Sequence, residues 1–275
     1  MLKQILLGAL AFCIWLAAAI GSQISLGGHQ PALPAQLLIS VALLAIYWAA
    51  ARWVERRRPL ELHPRDAQTI LYGFIVGFVL FFCTMAILSI VGVYHFTAFV
   101  SVKPLWPGFA LALLVGITEE LLFRGFIFRW VESGMGTWIA VAFSAALFGA
   151  AHAANRGATP MSCTAIALEA GVLLSAAYVY TRTLWVPIGL HIGWNFTEGT
   201  IFGVTVSGHQ STGILTGVLH GPDWLTGGVF GVEASLPAVV VCVAAAAALL
   251  VASVRKRRII APRWTRARRI KLLQS

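Results

Sequence analysis

Two adjacent carboxylates and an arginine lie in an apolar stretch that otherwise has the character of a membrane-spanning helix. The stretch reads Gly-Ile-Thr-Glu-Glu-Leu-Leu-Phe-Arg-Gly and covers residues 116–125. Glu120 and Arg124 are four residues apart, which places them on one helical face with the acid N-terminal to the base. Glu119 lies about 100° around the helix and is free for another partner. Because an ionised group near the bilayer centre is costly, such groups usually face a bundle interior and serve a function.

Three further polar residues lie in later apolar stretches. His152 follows Phe148 by four residues, and Asn195 follows His191 by four. His191 and Asn195 therefore share one helical face. Singly, an intramembrane His or Asn often only hydrogen-bonds a neighbouring helix, but two Glu, two His, one Asn and one Arg in three apolar stretches favour a functional site.

These residue types suit the hydrolysis of a carbonyl compound. A carboxylate and an imidazole can together polarise a water for attack, and an Asn side chain can donate a hydrogen bond to the tetrahedral oxyanion. Nucleophilic catalysis is poorly supported, since no Ser or Cys stands beside a base. The sequence has no His-Glu-x-x-His motif, yet two His and one Glu could form a three-ligand site, so the spacing leaves zinc open as an alternative.

The elements that must position these residues are apolar helices. Of the 275 residues, 59% are hydrophobic and 11% charged, whereas soluble domains carry about 25% charged residues. Apolar runs of the length that a bilayer requires predict an all-α fold, a polytopic membrane helix bundle with about eight transmembrane helices. The runs are 5–20, 37–53, 69–93, 109–129, 138–152, 164–180, 184–202 and 237–254.

The first run also resembles a signal peptide, so whether it is retained or cleaved is open; we predict a retained helix because further spans follow. We predict one integral-membrane domain over residues 1–275, with a motif-bearing core at about 106–204 and a basic cytoplasmic tail at 255–275. The cysteines form no Cys-x-x-Cys pair and are expected to be small buried hydrophobes. They are Cys13, Cys83, Cys163 and Cys242.

The net charge of +10 comes largely from two basic clusters, at residues 52–65 and 255–271, each directly after an apolar run. This placement is typical of cytoplasmic loops beside anionic headgroups and argues against nucleic-acid binding. The other basic residues follow the same rule, with Lys103 and Arg156 as the exceptions. Both termini are therefore predicted to be cytoplasmic.

The motifs Glu-Glu-x-x-x-Arg, Phe-x-x-x-His and His-x-x-x-Asn, in this order on separate spans, resemble those of the CAAX protease and bacteriocin-processing family (CPBP, also called ABI). That family includes the type II CAAX prenyl endopeptidases. The resemblance runs from Glu119 to Asn195 and continues through the Gly-rich segment 203–235. It implies an intramembrane endopeptidase with a glutamate-dependent mechanism that needs no metal or other cofactor.

The resemblance also implies residue roles. Glu119 and His152 would activate the attacking water. Glu120 would support the site, in keeping with its pairing distance from Arg124.

In the third motif, His191 and Asn195 would form the oxyanion hole. Phe148 would serve packing rather than chemistry. Two acids lie outside the motifs: Glu169 could line the cavity, and Glu198 could support the site or simply end a helix.

The predicted function is thus hydrolysis of a peptide bond at the membrane. The alternatives are a non-catalytic immunity or scaffold protein of the same fold, and a zinc-dependent intramembrane protease. A transporter is disfavoured, because neither inverted halves nor paired broken helices are evident. The expected partners are the lipid bilayer and a peptide or membrane-protein substrate, with or without a lipid modification; the expected location is the plasma membrane.

Overall fold

A computed structural model describes residues 33–266 of the chain. The predicted first helix at 5–20, Cys13 and the end of the basic tail lie outside the described residues. Within them the apolar runs are helical, and Cys83, Cys163 and Cys242 are free thiols. The predicted burial is confirmed for Cys242, whereas Cys163 is half-buried and the prediction is wrong for Cys83, which is exposed. The helices are α1 (Leu33–Ala49), α2 (Thr69–Ile90), α3 (Leu105–Glu120), α4 (Arg129–Met135), α5 (Thr137–Ala151), α6 (Pro160–Ile166), α7 (Val172–Thr181), α8 (Trp185–Asn195), α9 (Asp223–Thr226) and α10 (Leu236–Arg255).

Four π-helical segments extend or join these helices in the described part of the chain. Ala50–Val54 extends α1, Leu121–Phe128 joins α3 to α4, Ala167–Gly171 joins α6 to α7, and Phe196–Ile201 extends α8. Short 3₁₀ turns lie at Leu60–Leu62, Pro64–Asp66, His152–Ala154 and Val232–Ala234.

Five helices in the described residues are long and apolar enough to cross a membrane. They are Leu33–Val54, Thr69–Ile90, Thr137–Ala154, Pro160–Thr181 and Leu236–Arg255. The all-α membrane bundle is confirmed, whereas the predicted count of eight is not. The predicted fourth and seventh spans are helical but are not among the five. The fourth runs without a break from α3 through the π-helical segment into α4 and carries the charged residues Glu119, Glu120 and Arg124. The seventh is short, because α8 has 11 residues and its π extension six, against the roughly 20 that a bilayer requires.

Helices α2 and α8 pack backbone against backbone through two Gly-x-x-x-Gly pairs. The four glycines are Gly73 and Gly77 on α2, and Gly189 and Gly193 on α8. A Cβ atom on Gly77 would lie 2.0 Å from the carbonyl oxygen of Leu190. Small residues at this spacing let membrane helices approach closely. Because His191 follows Leu190 directly, this contact sets the position of a motif residue.

A two-stranded antiparallel ribbon adds to the predicted helical fold. Strand β1 (Tyr94–Phe99) pairs with β2 (Leu215–Leu219), with an irregularity between Phe96 and Ala98. The ribbon joins the loop after α2 to the long connection before α10. It is anchored beside the motif helix α8, because the N–H of Ile214 donates to the carbonyl of Thr200 at 2.8 Å.

Part of the first basic cluster is used inside the protein rather than at headgroups. Arg129 donates to Glu55 at 2.7 Å, and Arg57 forms ion pairs with both Glu55 and Glu61. Tyr47 of α1 donates to the carbonyl of Gly125 at 3.0 Å. These contacts connect the end of α1 to the π-helical segment that follows the glutamate pair.

Candidate active site

The Glu120–Arg124 pair predicted from spacing is present and fully buried. Arg124 Nη1 donates to Glu120 Oε1 at 2.7 Å, and both side chains are 0% exposed. Arg124 Nη2 also donates to the carbonyls of Ala170 and Gly171, at 3.1 and 3.0 Å. These carbonyls lie where the helix changes from π to α geometry. One guanidinium thus neutralises Glu120 and holds the α3 end against the α6–α7 helix.

His191 lies between the two adjacent glutamates. Its Nδ1 is 3.1 Å from Glu120 Oε1, and its Nε2 is 3.9 Å from Glu119 Oε2. The His191 side chain is 7% exposed, whereas that of Glu119 is 27% exposed. One Glu119 oxygen, Oε2, is buried and has no hydrogen-bond partner among the described residues. Because the side chain of Glu119 is 27% exposed and that of Glu120 is 0% exposed, Glu119 is the more accessible carboxylate of the pair.

Phe148 connects the first motif with both histidines. Its ring centroid is 4.9 Å from that of His152 and 6.3 Å from that of His191, and the Arg124 guanidinium carbon lies 4.8 Å above it. The Phe148 carbonyl also contacts His152 Nδ1 at 2.8 Å. A carbonyl only accepts, so Nδ1 carries a proton and Nε2 of the neutral ring keeps a free lone pair. Phe148 thus packs, as expected, but it also orients a motif residue.

The structure brings some of the predicted site residues into contact and leaves others apart. His191 contacts both Glu119 and Glu120, and Phe148 packs against His191 and His152. In residues 33–266 no hydrogen bond or ion pair links Glu119 to His152, so their joint action stays a prediction. Asn195 is half-buried one turn after His191, and its side chain makes no hydrogen bond within the described residues.

Three of the π-helical segments adjoin this cluster. One begins directly after Glu120, one directly after Asn195, and the third provides the Ala170 and Gly171 carbonyls to Arg124. Isolated π-helical turns occur frequently at functional sites. Sequence reasoning missed them, and the side-chain spacing carries no signal for them.

The two acids outside the motifs are buried. Glu169 lies in the segment Ala167–Gly171 and Glu198 in Phe196–Ile201, both at 1% exposure or less. Both carboxyl oxygens of Glu198 are buried without a hydrogen-bond partner among the described residues. His209 and His220, on the connection between α8 and α10, are exposed.

The donor set at the cluster does not have the form of a metal site. In the described part of the chain, no group of three His, Cys, Asp or Glu residues is arranged to hold a metal ion. The two ring nitrogens of His191 face two different carboxylates rather than a common centre with them. Ion pairing and hydrogen bonding account for this geometry.

A comparison with protein families identifies the class of this segment. Residues 101–197 match the model of the type II CAAX prenyl endopeptidase Rce1-like family. The matched segment contains all three motifs, from Glu119 to Asn195, and confirms the resemblance drawn from them. No curated protein and no solved structure matches the chain.

The family is one of proteases, and together with the apolar helices the match supports a multi-pass membrane protease of the general CAAX type. A peptide or membrane protein in a lipid bilayer is the corresponding class of substrate.

Proposed function

We propose that this protein is an intramembrane endopeptidase that hydrolyses a peptide bond with a water activated by Glu119 and His152. The observation that carries the proposal is the unequal environment of the two adjacent glutamates. Glu120 is buried in an ion pair with Arg124, whereas Glu119 is partly exposed and bonds to no arginine within residues 33–266. A general base must reach both water and substrate, and Glu119 is the carboxylate that can.

In the proposed reaction, water oxygen attacks the carbonyl carbon of the scissile peptide and its proton passes to the Glu119 carboxylate. His152 contributes through Nε2, whose lone pair can accept a hydrogen bond from the same water because Nδ1–H is held by the Phe148 carbonyl. When the tetrahedral intermediate collapses, the C–N bond breaks and Glu119 delivers its proton to the departing amine. The acid product then ionises and the amine takes up that proton, so the final products are a carboxylate and a protonated amine.

His191 and Asn195 would stabilise the oxyanion. Since Nδ1–H of His191 faces Glu120, a second donor at Nε2 requires the imidazolium form. Glu119, Glu120 and Arg124 together carry a formal charge of −1, so a proton on His191 makes the cluster neutral, as buried charges require. The side-chain amide of Asn195, one turn further along α8, is the second donor. Loss of one such donor typically lowers the rate by about 10²–10³.

The test is a comparison of newly formed peptide termini in membranes that contain wild type, Glu119→Gln or His152→Ala at equal protein levels. The wild type should produce termini that both variants lack. Thr118→Ala is the matched control, because Thr118 is next to Glu119 and, among the residues that the structure describes, its hydroxyl bonds only to the Leu114 carbonyl of its own helix. Full cleavage by either active-site variant would refute the mechanism.

The same experiment separates an enzyme from a membrane immunity or scaffold protein. Glu119→Gln is nearly isosteric, so a function that depends only on binding should survive it. Loss of the phenotype together with loss of the termini indicates catalysis.

The proposed mechanism uses no metal. The purified protein is expected to keep its rate in the presence of a zinc chelator and to contain no stoichiometric zinc by elemental analysis. Stoichiometric zinc whose removal abolishes cleavage would establish the zinc-dependent alternative instead. Residence in the plasma membrane with both termini cytoplasmic is also part of the proposal, and labelling of cysteines introduced at the termini tests it.

A further inference from the structure

The segment that follows His152 is held by the long connection between α8 and α10. Asn155 ends the 3₁₀ turn that begins at His152, and its backbone N–H donates to the His152 carbonyl at 3.0 Å. Its side-chain Nδ2 donates to the carbonyl of Ser207 at 2.9 Å. One residue therefore bridges the backbone of His152 to a loop more than 50 positions later in the chain.

Ser207 is in turn held by a buried carboxylate. Glu233 Oε2 accepts from the Ser207 N–H at 2.8 Å and from its hydroxyl at 2.6 Å, and Glu233 is 4% exposed. Ser207 has a φ of +46°, a left-handed conformation that is unfavourable for a residue with a Cβ atom. The two hydrogen bonds to Glu233 help to offset this cost.

The neighbouring backbone is closely packed as well. The N–H of Gly208 donates to the Phe230 carbonyl at 2.6 Å. A Cβ atom on Gly208 would lie 2.3 Å from the carbonyl oxygen of Arg156. The chain after His152 and the loop at Ser207 thus meet without room for a side chain.

We propose that Asn155, Ser207 and Glu233 form a clamp that positions His152 for water activation. The inference rests on the proposed function of His152. His152 lies just past the end of α5, where a helix frays, and its own side-chain hydrogen bond is to the carbonyl one turn earlier. The clamp is what fixes this end from outside the helix. Its members are positioning residues, since each acts through His152 and none touches the reacting atoms.

The test uses a quenched fluorescent peptide that spans a Glu119-dependent cleavage site found by the comparison of termini. Asn155→Asp keeps the shape of the side chain but places an acceptor against the Ser207 carbonyl. We expect kcat to fall about 10- to 100-fold, because small misplacements of a catalytic group have effects of this size. KM and the unfolding temperature in detergent should stay near the wild-type values. Gln210→Glu, the same chemical change at an exposed position of the same loop, is the control and should retain the wild-type kcat.

A conservative and a non-conservative substitution of Glu233 test the same inference. Glu233→Gln keeps an acceptor oxygen for Ser207 and should retain most of kcat, whereas Glu233→Leu should lose it as Asn155→Asp does. If Asn155→Asp does not fold, Ser207→Ala replaces it, because it deletes one hydrogen bond to Glu233 and leaves the carbonyl contact to Asn155 in place; its kcat should be lower than wild type.

Failure of this inference is distinct from failure of the proposed function. Full activity of His152→Ala would refute the water-activation mechanism itself. If His152→Ala abolishes cleavage while Asn155→Asp or Ser207→Ala keeps the wild-type kcat, the mechanism stands and the clamp is overturned. A fall in unfolding temperature with unchanged kcat would show that the three residues serve stability alone.

Discussion

Replacement of Arg124 by methionine tests how the bundle interior is held together. The change keeps an apolar stem but removes the hydrogen bonds to Glu120, Ala170 and Gly171. Breaking a buried ion pair from one side leaves an unpaired charge and typically costs about 3–5 kcal/mol. The Gly171 carbonyl keeps its bond from the Ser175 hydroxyl, so the charge on Glu120 dominates. We therefore expect the free energy of unfolding to fall by about 3–5 kcal/mol.

The assay is reversible unfolding in mixed micelles of mild detergent and dodecyl sulfate, followed by circular dichroism. Combining Arg124→Met with Glu120→Gln removes both charges and should recover much of the loss. Arg124→Lys should give an intermediate value, because an ammonium can pair with Glu120 but lacks the planar fork that also reaches two carbonyls. Wild-type stability of Arg124→Met, or a double variant weaker than the single one, would refute the reasoning.

Two further predictions concern the scaffold. Gly77→Ala places a Cβ atom 2.0 Å from a backbone oxygen of α8 and should cost about 1–3 kcal/mol in unfolding free energy, with reduced cleavage; Gly134→Ala, whose Cβ atom meets nothing within 4 Å, should leave stability and cleavage intact. Burial alone would raise the pKa of Glu55, but Arg129 and Arg57 hold it below the usual value of 4.5. Its stabilising contribution is therefore full above pH 4.5 and is lost as the pH falls through the lowered pKa. Unfolding measured across this range should show the stability difference between wild type and Glu55→Gln shrinking in acid; a constant difference would contradict it.

The features that could be predicted from the sequence are those that depend on the geometry of a single helix. Predicted spans at 69–93 and 237–254 correspond to the observed Thr69–Ile90 and Leu236–Arg255, since long apolar runs in lipid must satisfy their backbone hydrogen bonds internally. The pairing of Glu120 with Arg124 followed from spacing along one helix. The Gly-x-x-x-Gly pairs on α2 and α8 are also visible in the sequence, but the close packing of these two helices was not predicted from them.

Contacts between distant segments were not predictable in this way. The ribbon pairs residues more than a hundred positions apart, and neither strand alone identifies its partner. The π-helical segments depend on how neighbouring helices pack, because the regular α-helix is otherwise preferred.

The sequence alone determined which residues could do chemistry, which helices carry them, and that Glu120 has Arg124 as its partner. It did so because helix periodicity is a local property and a charge in an apolar run is conspicuous. Only the tertiary structure decided that His191 lies between the two glutamates, that Phe148 joins it to His152, and that a remote loop holds Asn155, three residues after His152. Those relations depend on the angles and heights at which separate helices pack, and side-chain spacing within one helix carries no information about them.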